Sequence, residues 1–425
     1  MSAPSGTPAS VDEPEASAIS ADLLDPRLIQ ARGPRGYIDA GLAKVRGGDL
    51  GSIPVILGLV AIIVVFTTLT DQQFTSAFNL VNLASQVAAT GVMAMGIVLV
   101  LLLGEIDLSV GSVSGVAAAL LTVLNVNQGY PAGVAVVLAI VAGLVIGLLH
   151  GLIFTKLGVP SFVVTLAGLL IWQGAQLRVL GKTGTVNLQV SGPLARLGQF
   201  AYVDGVYAYV IAAALVVLYL GGQLLKAQRR RAAELSVQPM WVTLSLAAVL
   251  AVVAFAIVIK LNIDRGIPVL FLFFLGIVMF MDWMLRRTRY GRSIFAVGGN
   301  IEAARRSGLR VDAIRISVFM LTSMFAAFGG IMGVMYLGSA NQGTGTGETL
   351  INAIASAVIG GTSLFGGRSR MYSALIGALV IGSIANGLSL LSLDSWARYV
   401  ITGAVLLAAV VLDAVTQRGR NRSGR

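Results

Sequence analysis

The chain has 425 residues, 56% of them hydrophobic and 12% charged, against about a quarter charged in an ordinary soluble domain, and its mean hydropathy of +0.86 excludes that class. It holds no cysteine and one histidine, His150, which excludes disulfides, a cysteine nucleophile, thiolate metal sites and any multi-histidine metal centre. The net charge of +11 falls in short clusters between apolar runs and not along one polar face, so it marks membrane orientation rather than nucleic-acid binding.

In chain order, residues 1–50 are rich in Ala, Ser and Pro, acidic early and basic later at Arg32, Arg35, Lys44 and Arg46, with no apolar run of signal-peptide type. They read as a disordered cytoplasmic tail. Crossing a hydrocarbon core of about 30 Å takes roughly 20 helical residues. Runs of that order occupy 53–70, 80–103, 108–126, 133–155, 162–180, 206–224, 240–261, 267–285, 316–337, 371–391 and 397–415. A shorter run, 350–365, is either a crossing or a half-crossing. The expected fold is therefore an all-α polytopic membrane protein with about 10–12 transmembrane or re-entrant helices, some of them broken.

Basic residues set the sidedness. Lys226, Arg229, Arg230 and Arg231, the segment 286–315, and the end of the chain from Arg418 all fall on one side together with the N-terminus. Both termini are thus expected in the cytoplasm, with a membrane domain at 51–416, a cytoplasmic loop at 286–315 and a basic cytoplasmic tail at 417–425. Gly104-Glu-Ile-Asp-Leu-Ser-Val-Gly111-Ser112 can be laid on Gly360-Gly-Thr-Ser-Leu-Phe-Gly-Gly367-Arg368; each follows an apolar stretch, as paired breaks do in transporters built from repeats. Two similar Gly-rich turns would look the same.

Chemistry-bearing residues are sparse. Gly181-Lys182-Thr183 is no phosphate loop, because Gln176 stands where the first glycine is needed, and Gly343, Gly345 and Gly347 follow no strand, so they form a flexible stretch and not a dinucleotide fingerprint. Glu105 and Asp107 end the second run, where a carboxylate must be paired, hydrated or at an interface; Asp107 or Ser109 can cap the next helix while Glu105 favours its positive end. Gly143, Gly147 and Gly151 recur every fourth residue and form a groove for close helix packing, with His150 beside it suited to one interhelical hydrogen bond. The candidate path residues are Gln86, Glu105, Asp107, Ser109, Thr165, Trp172, Gln173 and Thr362; Thr165, Trp172 and Gln173 are equally readable as packing and belt residues. No metal ligand set and no cofactor site can be assembled.

In the loop after residue 290, Asn300 suits an N-cap, Glu302 the first turn, Ala303 and Ala304 the body, Arg305 and Arg306 the last turn, and Gly308 the stop. That writes a helix roughly 10 Å long, flanked by Gly-rich turns and lying at the cytoplasmic surface.

Pro160-Ser-Phe-Val-Val-Thr-Leu-Ala167, Gly104-Glu-Ile-Asp-Leu-Ser-Val-Gly-Ser112, Ala296-Val-Gly-Gly-Asn-Ile-Glu-Ala-Ala304 and Val358-Ile-Gly-Gly-Thr-Ser-Leu-Phe-Gly-Gly367 together resemble the monosaccharide ATP-binding-cassette (ABC) importer permeases, the family of the ribose and xylose permeases. The resemblance covers residues 80–416, and the extra run at 240–261 is most like that of the xylose permeases. His150 departs from the Asn that many members carry there. The resemblance implies a permease subunit, not an enzyme, in the bacterial inner membrane, moving a monosaccharide such as xylose or a similar pentose into the cytoplasm. It further implies a permease homodimer, a separate ABC ATPase subunit and an extracytoplasmic sugar-binding protein. ATPase coupling would fall to Gly291, Arg292, Gly298, Gly299, Asn300, Glu302, Ala303, Ala304 and Gly308. An ion- or proton-coupled sugar carrier is the alternative, disfavoured by the scarcity of titratable groups within the runs.

Overall fold

The computed structural model describes residues 53–422 except 234, 236, 365 and 368, so the expected tail at 1–50 lies outside the described residues. Among these residues nine helices are long and apolar enough to cross a membrane, one of them Val110–Thr122 continued by the π-helical turn Val123–Asn127, and three shorter apolar helices accompany them. The fold is all-α and polytopic, as expected. In chain order the helices are α1 (Ile53–Leu69), α2 (Ala77–Leu102), α3 (Val110–Thr122), α4 (Ala132–Lys156), α5 (Ser161–Leu180), α6 (Gly205–Ala232), α7 (Met240–Asn262), α8 (Val269–Arg287), α9 (Arg289–Gly299), α10 (Ile301–Arg306), α11 (Val311–Leu337), α12 (Glu348–Ile359), α13 (Met371–Leu390) and α14 (Ser395–Arg422). The ambiguous run at 350–365 proves to be the twelve-residue α12 followed by turns. At 1.5 Å per residue it reaches only about 18 Å, a half-crossing.

Two small antiparallel pairs, absent from the sequence expectation, join connections: β1 (Thr185–Asn187) with β4 (Ser339–Asn341), and β2 (Tyr202–Val203) with β3 (Ile267–Pro268). Strands of two or three residues leave no periodic signal to read.

The described residues divide into two compact units, one holding Tyr209–Ile257 and the other the rest. In the first, the described part is a helical hairpin of α6 and α7, with the Tyr209 and Phe255 rings stacked, their centroids 6.2 Å apart, a separation ordinary for aromatic pairs. In the second, α2 and α11 form the centre. The most apolar stretch of α2 is 89% buried and that of α11 is 72% buried.

Small residues let the helices of this unit close. Lipid is as apolar as leucine, so association inside it rests on tight packing rather than on the hydrophobic effect. The expected Gly143, Gly147 and Gly151 groove on α4 indeed receives α11. A side chain at Gly143 would meet Ala327 Cβ at 2.7 Å, one at Gly147 would meet Met320 Cα at 2.6 Å, and one at Gly151 would meet Ile316 Cα at 2.8 Å. On α2, Gly96 lies against Thr322, whose hydroxyl donates to the Gly96 carbonyl at 3.0 Å. Gly330 of α11 presses on the Ser114 backbone of α3.

Replacing Gly147 with Leu drives a side chain into the Met320 backbone, and overpacking of that kind costs about 1–3 kcal/mol. The expected result is a clearly lower melting temperature in detergent. Gly174 of α5 has nothing within 4 Å of a would-be Cβ, so Gly174→Ala should leave the melt unchanged or raise stability by up to about 1 kcal/mol. Equal effects at both positions would show that the groove is not a packing surface.

Candidate coupling and translocation site

The segment after α8 begins at Thr288, which caps α9: its hydroxyl accepts from Gly291 N at 3.1 Å and donates to Met284 O at 2.7 Å. Gly291 is required there because a side chain would strike the Leu285 backbone. The helix buries Gly291, Ile294 and Val297, and Tyr290 Oη lies 2.7 Å from Ser317 Oγ of α11. Burial raises the Tyr290 phenol above its ordinary pKa, although Ser317 opposes this, so the phenol keeps its proton. The sequence expectation of Gly-rich turns before Asn300 is corrected here, since helix continues through Gly298 and Gly299. Two glycines lower helix propensity, but the buried face of α9 outweighs them.

Asn300 then caps α10 as expected, its Oδ1 accepting from Ala303 N at 2.9 Å. Arg292, Gly299, Asn300, Glu302, Ala303 and Gly308 are exposed, and Glu302 pairs with Arg305 at 3.2 Å. Ala304 is 4% exposed and belongs to the core. Its expected place on a docking face is therefore corrected: it anchors α10 from beneath.

The other end of α9 meets bare backbone. A side chain at Gly298 would collide with the Leu102 carbonyl at the end of α2. Gly367 N donates to that same carbonyl at 3.0 Å. Gly366, at φ +82°, sits where a Cβ would be 2.9 Å from Gly298 O and 3.0 Å from Gly104 N, and Gly104 is itself at φ +75°. Thus the two glycine breaks read from the sequence, at 104 and at 366–367, touch each other and the end of α9. Thr362 lies in the turns between α12 and the 366–367 glycines, its hydroxyl 2.9 Å from Ser369 Oγ.

A chain of polar contacts starts beside this junction. Glu105 accepts from Ser161 Oγ at 2.7 Å and from Arg315 at 3.1 Å, and the Arg315 guanidinium lies over the Phe154 ring at 4.7 Å. Asp107 Oδ1 accepts from Ser109 N at 2.8 Å and from Ser109 Oγ at 2.6 Å, turning the backbone into α3. Ser109 Oγ lies 3.4 Å from His150 Nδ1, and Trp172 Nε1 donates to His150 Nε2 at 2.9 Å. An indole N–H can only donate, so Nε2 carries the lone pair and Nδ1 the proton. Thr165 donates to Ser161 O at 3.0 Å and lies 3.4 Å from Ile106 O.

The structure therefore brings Glu105, Asp107, Ser109, Thr165 and Trp172 into one run of contacts around His150. Gln86 is not among them: it lies about 24 Å along α2 from that helix's last residue. Gln173 is half-buried on α5. The expected cap is corrected: Ser109 holds the N-cap position of α3 with no side-chain cap bond, Asp107 forms a turn onto Ser109 just ahead of the helix, and Glu105 finds an arginine rather than a helix end.

Sequence reasoning missed Arg315 and Gln176. Gln176, fully buried, donates to Asn341 O and Thr344 O at 2.9 Å each, and Gly345 packs so that a Cβ would lie 2.6 Å from Ser114 Oγ and 2.7 Å from Gly115 N. The glycine stretch at 343–347, expected to be flexible, is held against α3. A glutamine inside an apolar run was the available signal, since a buried amide needs partners.

Long apolar helices, broken segments that meet one another and a capped pair of short helices outside the long ones are the architecture of a multi-pass membrane protein. The chain belongs to the permease family described as branched-chain amino acid transport system / permease component, which matches residues 79–410. It is similar to the xylose transport system permease protein XylH of Escherichia coli (strain K12), 33% identical over 378 residues, 89% of this chain and 95% of that one. It is also similar to the ribose import permease protein RbsC of the same strain, 33% identical over 362 residues covering 84% and 92%, and to RbsC of Bacillus subtilis (strain 168), 31% identical over 352 residues covering 83% and 89%. No solved structure matches.

Glu105 and Arg315 have side chains 16% and 17% exposed, so removing one partner strands a largely desolvated charge. Arg315→Gln or Glu105→Gln alone should each lower stability by about 1–3 kcal/mol, whereas the double variant should recover part of the loss. Melting the four proteins in detergent measures the coupling. Strictly additive losses would mean that the pair is incidental.

Proposed function

We propose that this chain is the membrane permease of an ABC importer for xylose or a similar pentose. Near end-to-end likeness to xylose and ribose permeases supports the cargo class, whereas the family description names amino acids. In this reading two copies line a central path, a separate ATPase docks on the exposed face of α9 and α10, and an extracytoplasmic binding protein delivers the sugar and supplies most of the selectivity.

The observation that carries the mechanism is the glycine junction. Docking force on α10 passes to α9 and reaches Gly298, which bears on Leu102 and the 366–367 turn with no side chain to absorb displacement. Leu102 leads through Glu105, Asp107 and Ser109 to α3 and His150, so the same push is felt at the polar run beside the path. Coupling requires contacts that differ between two states; backbone contact of this kind transmits a shift instead of damping it.

Uptake of radiolabelled xylose into proteoliposomes tests the reading. It should require ATP, the ATPase chain and the binding protein together, with xylose outcompeting ribose. Uptake driven by a pH gradient without ATP would overturn it.

Two variants separate docking from transmission. Glu302→Lys should release the ATPase in co-purification, because it reverses the one exposed carboxylate of α10 and breaks its pair with Arg305. Gly298→Ala should keep the ATPase bound yet lower uptake by about ten-fold, a coupling loss of roughly 1.4 kcal/mol. Full uptake by Gly298→Ala at wild-type melting temperature would sink the transmission role.

The path itself can be probed in this cysteine-free chain. Cysteines at Ser109 or Thr362 should react with a small water-soluble thiol reagent at rates that change when nucleotide binds the partner, and cysteines at Val64 or Leu406 should not respond. Identical behaviour at all four sites would move the path elsewhere.

A further inference from the structure

The hairpin of α6 and α7 carries chemistry that transport does not use. At its cytoplasmic end a pocket of about 60 Å³ opens between the last turns of α6 and the first turn of α7, lined by Gln223, Lys226, Ala227, Arg230, Gln238 and Thr243. That exceeds several-fold the roughly 10–15 Å³ one water needs. Lys226 and Arg230 are four residues apart and share a helix face. The N-terminal end of α7 adds its own partial positive charge from the opposite wall.

What surrounds the pocket selects its occupant. Leu224, Leu225, Met240 and Leu244, on the adjoining turns, are exposed, and Trp241, also exposed, is the residue type found at headgroup level. A phosphate group can therefore sit in the pocket while acyl chains follow the apolar surface beside it. We propose that this pocket binds the headgroup of an anionic phospholipid of the inner leaflet. General attraction of basic segments to anionic membranes would not distinguish Lys226 and Arg230 from their neighbours Arg229 and Arg231; a built pocket does.

Native mass spectrometry of the full chain, released from mixed micelles of phosphatidylglycerol and phosphatidylcholine, tests this. The unaltered chain should retain phosphatidylglycerol in preference by about ten-fold or more. Lys226→Gln with Arg230→Gln should abolish the preference, and Arg229→Gln with Arg231→Gln, which removes equal charge from the same helix, should keep it. Thr243→Leu fills the pocket with every charge in place and should also abolish it, which decides the matter if the first double variant fails to fold. Equal loss from both charge pairs, or retention by Thr243→Leu, overturns the proposal. Displacement of phosphatidylglycerol by inorganic phosphate at matched concentration also overturns it, because the site would then take the free ion.

Discussion

Backbone contact along α11 is the constraint on which the rest of the main unit depends. In hydrocarbon, helices gain little from burying apolar side chains against each other, so a stable crossing is one where backbones come close and polar atoms are satisfied. Helix α11 meets that demand on three sides, through the glycine stripe of α4, through Gly96 of α2 and through its own Gly330 against α3. Once it is gripped in this way its two ends are fixed. One end presents Arg315 to Glu105; the other leads through β4 into the turn that Gln176 holds against α3. A single rigid element therefore sets the position of both polar features beside the proposed path.

The polar groups themselves are arranged for structure more than for reaction. Each carboxylate in the broken segment has a committed partner: Glu105 has Arg315 and Ser161, and Asp107 has Ser109. His150 is held by a tryptophan that can only donate to it. Such a chain ties neighbouring helices together through partnered polar groups, which low dielectric makes costly to leave unpaired. It supplies no nucleophile or acid–base pair poised on an empty cleft, consistent with a protein whose energy source resides in another chain.

Much of this was legible in the residues. The long helices follow from run length, the α4 groove from glycines spaced by four, and the α10 cap from Asn300. Local signals carried those features. What escaped depended on distance along the chain: Arg315 and Glu105 are 210 residues apart, and nothing near either one announces the other. Gly298 illustrates a second failure, because a glycine pair ordinarily reads as a turn, whereas here the buried face of α9 carries the helix through and the close approach of Leu102 explains the glycine. Ala304 illustrates a third. A strong helix former in a surface helix carries no mark of which side it faces when the helix is six residues long.

The glycines of the main unit fall into two kinds with different evolutionary prospects. Gly91 faces the ring of Phe274, Gly387 the ring of Phe66, and Gly382 a methyl of Val87. There a lineage can drift: a larger residue on one helix is answered by a smaller one on the other, and paired substitutions can walk the contact through many solutions. Gly147 and Gly298 face backbone, which has nothing to trim. No reciprocal change exists, so these positions should stay frozen while their neighbours wander, and in a set of related sequences they should stand out as invariant columns without covarying partners.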